Sequence, residues 1–455
     1  MRVLLVRPRP SKKSLGLMDL MTCEPLELEY VSSWLKTKKC EVFFADMIFE
    51  KRTLEEIMSE TNPDMVCTTA YITHVNVVKD YAKAIKDFRA DIITAVGGVH
   101  SEVNRQDFEC GSIDYVLGIN GVKNLGFLVD AIEENKQPVF ELDFIDRDFL
   151  VNMPLPDREI TAKYRAGYDY AFHAPCALIK TSYGCPQKCS FCYCIAITRR
   201  QYWERPLDDV VEELKQIKEQ NVFIVDDDFL VSRERVGRFC ELVKLNNIKK
   251  RYIIFGRADF IANNRETMKS FRDCGLEAVF VGVESFRQED LNDWGKRCSV
   301  ELNEKAIRVL NELEIDCYAG SIAASDWDKK DFRVFTAWLK AMKVSFVNIQ
   351  PLVPLPGTPI HEKYKDRLLF RHDEYERWDL THIIIKPEKM SLSAFYLRII
   401  ISYLHTTASY KTFIYIRRKY GAAMAKKSFR GGLYILRQYI VLMVKALGEN
   451  RQVKR

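Results

Sequence analysis

The chain has 455 residues, 47% of them hydrophobic and 29% charged, the composition of a soluble globular protein long enough for two or three domains. Its net charge of +6 is unevenly laid out: residues 391–455 hold thirteen Lys and Arg against one acid, Glu449, which leaves the first 390 residues net acidic. That segregation argues against a protein coated along its length by nucleic acid, and no run of about eighteen uncharged apolar residues offers a membrane span. Thirteen cysteines without an export signal read as thiols or metal ligands of a cytoplasmic protein, not as a disulfide framework.

Residues 1–150 alternate short apolar strands with helices. Strands are predicted over 3–6, 42–45, 65–68, 92–96 and 115–117, with a helix over 26–35 and another carrying Val78, Tyr81, Ile85 and Phe88 at three- and four-residue spacing. All-apolar strands in βαβα order imply a parallel, doubly wound, Rossmann-like sheet whose ligands sit at the carboxyl ends of its strands. Those ends hold Thr69, Gly97, Gly98, His100 and Gly118. A linker rich in proline and charge is expected over 151–170. Over 171–360 the rhythm resumes, with strands at 177–181, 222–225, 252–255, 278–283, 316–319 and 345–350 separated by helices. Six such units suggest a partial TIM-type barrel. Residues 361–455 read as a helical, basic carboxyl-terminal region.

The sharpest motif follows the first strand of the second unit: Gly184-Cys185-Pro186-Gln187-Lys188-Cys189-Ser190-Phe191-Cys192-Tyr193. Three thiolates this close on one loop can converge on a metal cluster. Three ligands instead of four leave one iron of a cubane open for a substrate or cosubstrate. Buried apolar thiols are the plain alternative, but Gly, Pro and Lys around three cysteines make a poor core pattern. Cys194 leaves the chelate open, because Cys192-Tyr193-Cys194 offers a second spacing. A structural zinc site would want a fourth ligand on a second knuckle, and no other Cys-x-x-Cys or His-x-x-x-His pair occurs.

This cluster, on a loop after the first strand of a six-unit barrel, resembles the radical S-adenosylmethionine (SAM) superfamily. The resemblance implies a 4Fe–4S cluster held by Cys185, Cys189 and Cys192, with SAM on its open iron and Tyr193 near the adenine. A donor such as flavodoxin or ferredoxin would reduce the cluster. SAM would then be cleaved to a 5′-deoxyadenosyl radical that takes hydrogen from an unactivated carbon, while the barrel excludes water. Further pieces fall at strand ends. In Gly282-Val283-Glu284-Ser285, Glu284 is similar to the family residue that hydrogen-bonds SAM. In Phe255-Gly256-Arg257-Ala258-Asp259, Arg257 suits a bidentate pair with the SAM carboxylate or a structural salt bridge. The family's Gly-Gly-Glu is replaced by Val225-Asp226-Asp227-Asp228-Phe229, where Asp226 or Asp227 takes the amino-binding role. Gly320-Ser321-Ile322-Ala323-Ala324 stands where the family has its adenine-contacting glycines, and Pro354-Leu355-Pro356-Gly357-Thr358-Pro359 matches a turn of the cobalamin-associated branch.

Two glycines after a strand fit many ligand turns. Preceding such a barrel, Val96-Gly97-Gly98-Val99-His100 resembles the cobalamin-binding domain of that branch (class B methylase-like), with Thr69, Gly97, Gly98, His100 and Gly118 as the implied contacts. The cobalt-ligating Asp-x-His-x-x-Gly motif is absent, as the branch implies. The branch's Gly-Glu-Gly-Glu is replaced by Gly118-Ile119-Asn120-Gly121, which loses both acids. In the tail, basic residues interleave with aromatic and aliphatic ones. Amphipathic helices on an anionic bilayer or a helical cap over the barrel mouth fit this pattern, and RNA modules are lacking. Lipid-modifying members of the branch, such as hopanoid methylases, share this layout near Trp378. These features lead to the expectation of a cobalamin-dependent radical SAM methyltransferase acting on an unactivated carbon of a small molecule or lipid. Two rivals are a radical SAM cyclase or carbon–carbon bond-forming enzyme, like the magnesium-protoporphyrin ester cyclases, and a non-catalytic iron–sulfur or cobalamin sensor.

Overall fold

The computed structural model describes residues 1–15, 21–142, 144–344, 346–407 and 410–452. Strands β1 (Arg2–Arg7), β2 (Glu41–Asp46), β3 (Met65–Thr69), β4 (Ile93–Gly97) and β5 (Tyr115–Val116) form one parallel sheet in the order β2-β1-β3-β4-β5. Every residue of β3 is buried, as a strand covered by helices on both faces requires. The strand order reverses between β1 and β3, which opens a crevice at their carboxyl ends. The helix Leu54–Thr61, absent from the sequence reading, is started by a capping box: Thr53 Oγ1 accepts from Glu56 N (3.2 Å) and Glu56 Oε2 from Thr53 N (2.7 Å).

The second unit begins with β6 (Cys176–Ile179) and a two-stranded antiparallel hairpin, β7 (Ser182–Gly184) and β8 (Tyr202–Glu204). It continues with β9 (Asn221–Ile224), β10 (Arg251–Gly256), β11 (Leu276–Glu284), β12 (Asp316–Ala323) and β13 (Phe346–Pro351). The six-stranded sheet is parallel throughout, in the order β13-β12-β11-β10-β9-β6. It is an open, partial barrel with β6 and β13 at its edges. Ser345, at the start of the expected sixth strand, lies outside the described residues.

The stretch between the sheets does more than connect them. Arg158 is buried, and its Nη1 meets Glu24 beside the helix Leu26–Thr37. Its Nη2 donates to Glu213 Oε1 (2.8 Å) on the helix Leu207–Gln216 and to the carbonyl of Leu178 in β6 (2.7 Å). Arg205 Nη1 holds the other oxygen of Glu213 (2.7 Å), as does the Tyr30 hydroxyl (3.1 Å). Burial raises both Glu29 and Glu24, and Glu24 raises Glu29 further, while Arg158 pulls both back.

Of the carboxyl-terminal helices Leu392–Thr406, Tyr410–Tyr420 and Ala422–Gln452, the second meets the start of a barrel strand. Tyr415 and Tyr420 donate to Asp316, the first residue of β12, and Lys419 Nζ lies 3.0 Å from the same carboxylate. Ile416 and Ala425 join the core with Phe172, Leu178, Phe223 and Tyr318. The tail therefore closes the amino-terminal end of the barrel strands, opposite the loops that carry the cysteines, while Phe395, Tyr396 and Ile399 pack beside Val347 and Ile349 of β13. Among the described residues no helix is long and apolar enough to cross a membrane.

Replacing Arg158 with Ala strands Glu24 in the interior and leaves Glu213 to Arg205 and Tyr30. The expected cost is about 3–5 kcal/mol of unfolding free energy, read as a lower urea midpoint. A loss below about 1 kcal/mol would show that Glu24 finds another partner.

Candidate active site

The cysteine loop does not leave β6 directly, as the sequence suggested; it is the connection between β7 and β8. Tyr183 stacks on Trp203 across that hairpin (5.4 Å between centroids, 14° between planes), and Gly184 has φ +81° with its α-carbon against the carbonyl of Gln201. Ser190 N donates to Trp294 O (2.9 Å), Ile360 N donates to Ser190 O (3.1 Å), and Cys192 N donates to Cys189 O (3.0 Å). Pinned in this way, Cys185, Cys189 and Cys192 line one cavity of about 410 Å³. Burial pushes the Cys185 thiol up to about 12, whereas a hydrogen bond with Cys194 draws Cys192 below its ordinary value. Among the described residues no three Cys, His, Asp or Glu are gathered closely enough to hold a single ion. One tetrahedral ion would need sulfurs about 3.8 Å apart. Thiols spread around a cavity fit a cluster in which each cysteine meets a different iron.

The facing wall comes from the carboxyl ends of β9 to β13. Glu284 ends β11 with φ +58°, at a register shift against β12, and Lys296 Nζ donates to its Oε1 (2.7 Å). Burial alone would lower the Lys296 ammonium, but Glu284 holds it above its usual range. A β-carbon at Gly282 would sit 2.8 Å from Lys296 Nζ and collide with Glu284 Oε1, so this pair requires glycine there. Arg257 lines the cavity, but Asp259 already takes its Nε (3.0 Å) and Nη2 (3.2 Å), which makes a structural pair. Gly320, Ser321 and Ile322 of β12 also line it, and Ser321 Oγ is buried with no hydrogen-bond partner among the described residues.

Asp226 does not face this cavity. Its carboxylate accepts from the amide and hydroxyl of both Thr181 (2.6 and 2.5 Å) and Ser182 (3.0 and 2.8 Å), which ties β9 to the start of the hairpin. The acid on the cavity wall is Asp227, bonded to Gly184 N at 3.1 Å. Lys296 and the β13 carboxamides Asn348 and Gln350 line the cavity as well and were missed. Lys296 carried no sequence signal, being a lone lysine on a loop between Gly295 and Arg297.

A second cavity, of about 220 Å³, opens at the reversal point of the amino-terminal sheet. Thr69, Gly97 and Gly98 line it, with Glu27, Glu102 and Asn120. Gly98 has φ +97°, and a β-carbon there would lie 2.6 Å from both Ala70 N and Thr69 Oγ1. Gly118, expected at this site, instead packs against Arg105 and Leu142, and Gly121 takes a place in the wall. His100 is also absent from it. The imidazole is fully buried, with Nε2 2.8 Å from Asp107 Oδ2 and Nδ1 3.4 Å from the Tyr193 hydroxyl. An ionised Asp107 can only accept, so Nε2 carries a proton toward it, and Nδ1 faces the Tyr193 hydroxyl. Asp107 also meets His372 Nε2 at 3.0 Å. Burial would raise the Asp107 carboxyl, but the two imidazoles hold it well below the usual range, and Asp107 raises His372 in turn. The two cavities share one partition: Tyr193, Cys194 and Ile195 line the first, Ile197 and Thr198 the second.

Residues 179–339 match the family description "Radical SAM superfamily" and residues 20–121 match "B12 binding domain". The chain thus joins a B12-binding domain to a radical SAM domain. It is 29% identical over 418 residues to the hopanoid C-3 methylase of Methylococcus capsulatus, covering 87% of this chain and 78% of that protein. It is 26% identical over 372 residues to the anaerobic magnesium-protoporphyrin IX monomethyl ester cyclase of Cereibacter sphaeroides, covering 74% of this chain and 59% of that one. The fold matches the radical SAM methyltransferase TsrM of Kitasatospora setae, solved with cobalamin and a [4Fe-4S] cluster, at a TM-score of 0.71 and 15% identity over 96% of this chain and 98% of that one. A radical SAM domain implies a 4Fe–4S cluster and SAM, and the B12 domain implies cobalamin. The thiol-lined cavity with its orphaned Ser321 hydroxyl and the glycine cradle at Gly98 fit these groups.

The Asp107–His372 pair gives this protein a pH signature. The lowered Asp107 stabilises the fold above its unfolded pKa of about 3.9 and loses that effect as pH falls. The raised His372 stabilises it below about 6.5 and loses that effect as pH rises through its folded value. Asp107→Asn should therefore cost most stability near pH 5–6 and less toward about pH 9. A urea-midpoint difference that stays constant across that range would dissolve the pair.

Proposed function

We propose that this protein is a cobalamin-dependent radical SAM methyltransferase that adds a methyl group to an unactivated carbon of an apolar substrate. The observation that carries the reading is the shared partition, which sets the thiol-lined cavity and the glycine-lined cavity back to back across Tyr193–Thr198. Bound together, the cluster, SAM and cobalamin supply an electron, a radical that takes hydrogen from carbon, and a methyl group for the substrate carbon so activated. The chain's own residues hold and screen these groups. Cys185, Cys189 and Cys192 would ligate the cluster, and Tyr193, oriented through His100, would lie along the adenine. Glu284 would accept from the ammonium or ribose of SAM, with Lys296 beside it to answer the carboxylate, and Arg257 would serve mainly to fix the wall. Asp227 replaces Asp226 in the amino-binding role. Thr69, Gly97 and Gly98 would let cobalamin approach the backbone. Apolar side chains including Phe255, Phe280, Leu352 and Val353 line the first cavity and exclude water from it. The electron would come from a small reducing protein of the flavodoxin or ferredoxin type.

Anaerobic protein reconstituted with iron, sulfide and cobalamin should cleave SAM on reduction, and Cys189→Ala should lower that rate at least a hundredfold. Cleavage by the variant at the unchanged rate would overturn the ligand assignment. A product lighter than substrate by hydrogens, instead of heavier by one carbon, would favour a cyclase.

A lipid is the apolar substrate best supported, because a hopanoid methylase is among the relatives and the tail carries an outward apolar stripe. On the helix Ala422–Gln452, Tyr439, Leu442 and Ala446 face the core, while Phe429, Leu433, Ile440, Val444 and Leu447 are exposed along one other face. Lys426, Arg430 and Arg437 flank that stripe. Such a face suits the surface of an anionic bilayer. The full chain should sediment with phosphatidylglycerol-containing vesicles, and a Leu433→Ser, Val444→Ser double variant should lose most of that binding. Equal sedimentation of the two proteins, or equal binding to pure phosphatidylcholine, would confine the tail to capping the barrel.

A further inference from the structure

The second cavity is largely apolar, and most of its polar wall is already engaged. Asn120 Nδ2 donates to Phe144 O (2.8 Å) and its Oδ1 accepts from Asp146 N (3.0 Å), while Thr198 Oγ1 donates to Cys194 O (2.9 Å). Two acids remain. Burial raises Glu27, but Arg7 and a hydrogen bond with Thr69 pull it back. Glu102 has no such relief: among the described residues its carboxyl makes neither a hydrogen bond nor an ion pair, and burial alone pushes it up to about 8. It stands on the short helix Val99–Val103, one turn beyond Gly98, and is near enough to Tyr193 that, once ionised, it adds to the rise that burial gives the phenol. Glu102 thus belongs to the wall of one cavity and acts on a residue of the other.

A half-buried carboxyl that lines a largely apolar cavity and meets no protein partner there is left to bond whatever fills the cavity. At neutral pH a carboxyl of this kind carries one donor and one acceptor. That is the complement of a primary carboxamide, which offers an N–H and a carbonyl side by side. Cobalamin is ringed by such carboxamide arms.

On the cobalamin reading given above, we propose that Glu102 is a cofactor contact, pairing its carboxyl with a carboxamide arm of the corrin at the junction of the two cavities. The contact would give this chain a cavity acid where the segment 118–121 contributes none. It would also place the bound cofactor against Tyr193, so that filling the second cavity is felt in the first.

The test is equilibrium binding of hydroxocobalamin, followed optically, with cluster-reconstituted protein carrying Glu102, Glu102→Ala or Glu102→Gln. Removing the pair should raise the dissociation constant roughly three- to tenfold in Glu102→Ala. Glutamine still offers an N–H and a carbonyl, so Glu102→Gln should stay within about twofold of the parent. Iron content and SAM affinity report whether each variant is folded. An unchanged constant in Glu102→Ala, or equal weakening in both variants at normal iron content, would overturn the contact. If the parent protein binds no cobalamin, the broader reading falls, and the contact falls with it.

Discussion

The two cavities can cooperate only if the two parallel sheets are held at one angle, and Arg158 is the group on which that depends. A parallel sheet gathers its ligand-bearing loops at a single edge. Two such sheets on a chain of this length might face in any direction. Arg158 removes the freedom by bonding at once to Glu24 beside the first unit's leading helix, to Glu213 on the barrel's first long helix, and to the backbone of β6. Each bond is directional, and each acid it serves is shut away from solvent. Any other docking of the sheets would strand at least one of these charges, a cost of several kcal/mol. The Tyr193–Thr198 partition follows from this docking, because only then do the carboxyl edges of the two sheets meet.

Within the barrel, the local constraint is the end of β11. Glu284 occupies a left-handed conformation that a side chain adopts only at some cost, of order 1–3 kcal/mol. The register shift against β12 and the ion pair with Lys296 hold it there, and Gly282 leaves the room. The result is a carboxylate and an ammonium aimed into the same cavity as the three thiols. A zwitterionic amino acid moiety meets both of its charges answered at such a wall.

The strands were legible because most are short apolar runs, about half of them ending at Gly, Thr or an acid, and the cysteine spacing was legible because its chemistry is local. What escaped reading depends on partners distant in sequence. Which of Asp226, Asp227 and Asp228 faces the cavity is decided by the hydroxyls of Thr181 and Ser182, which absorb Asp226. His100 looked like a ligand-turn residue until Asp107 and His372 closed around it, the latter from beyond the barrel. The hairpin strands β7 and β8 have three residues each, too few to show a period, and their stability rests on the Tyr183–Trp203 stack. The helix Leu54–Thr61 was readable from Thr53-x-x-Glu56 alone, and its apolar face is simply short.

The charge segregation along the chain also takes on a structural meaning. Lys419 and Lys427 of the tail are spent on Asp316 and Asp169, at the floor of the barrel, where an acidic body and a basic cap attract each other. Capping does not account for the rest. A cap needs one apolar face, yet the last helix has two, and the second is exposed beside Lys426, Arg430 and Arg437. Left in water, a contiguous apolar stripe of this length invites self-association. Basic flanks oppose contact with another copy of the same tail and favour contact with an anionic surface, so one set of charges both keeps the stripe apart from its own kind and selects what may cover it. The mouth of the barrel, at the end opposite these contacts, opens toward the glycine-lined cavity across the Tyr193–Thr198 partition.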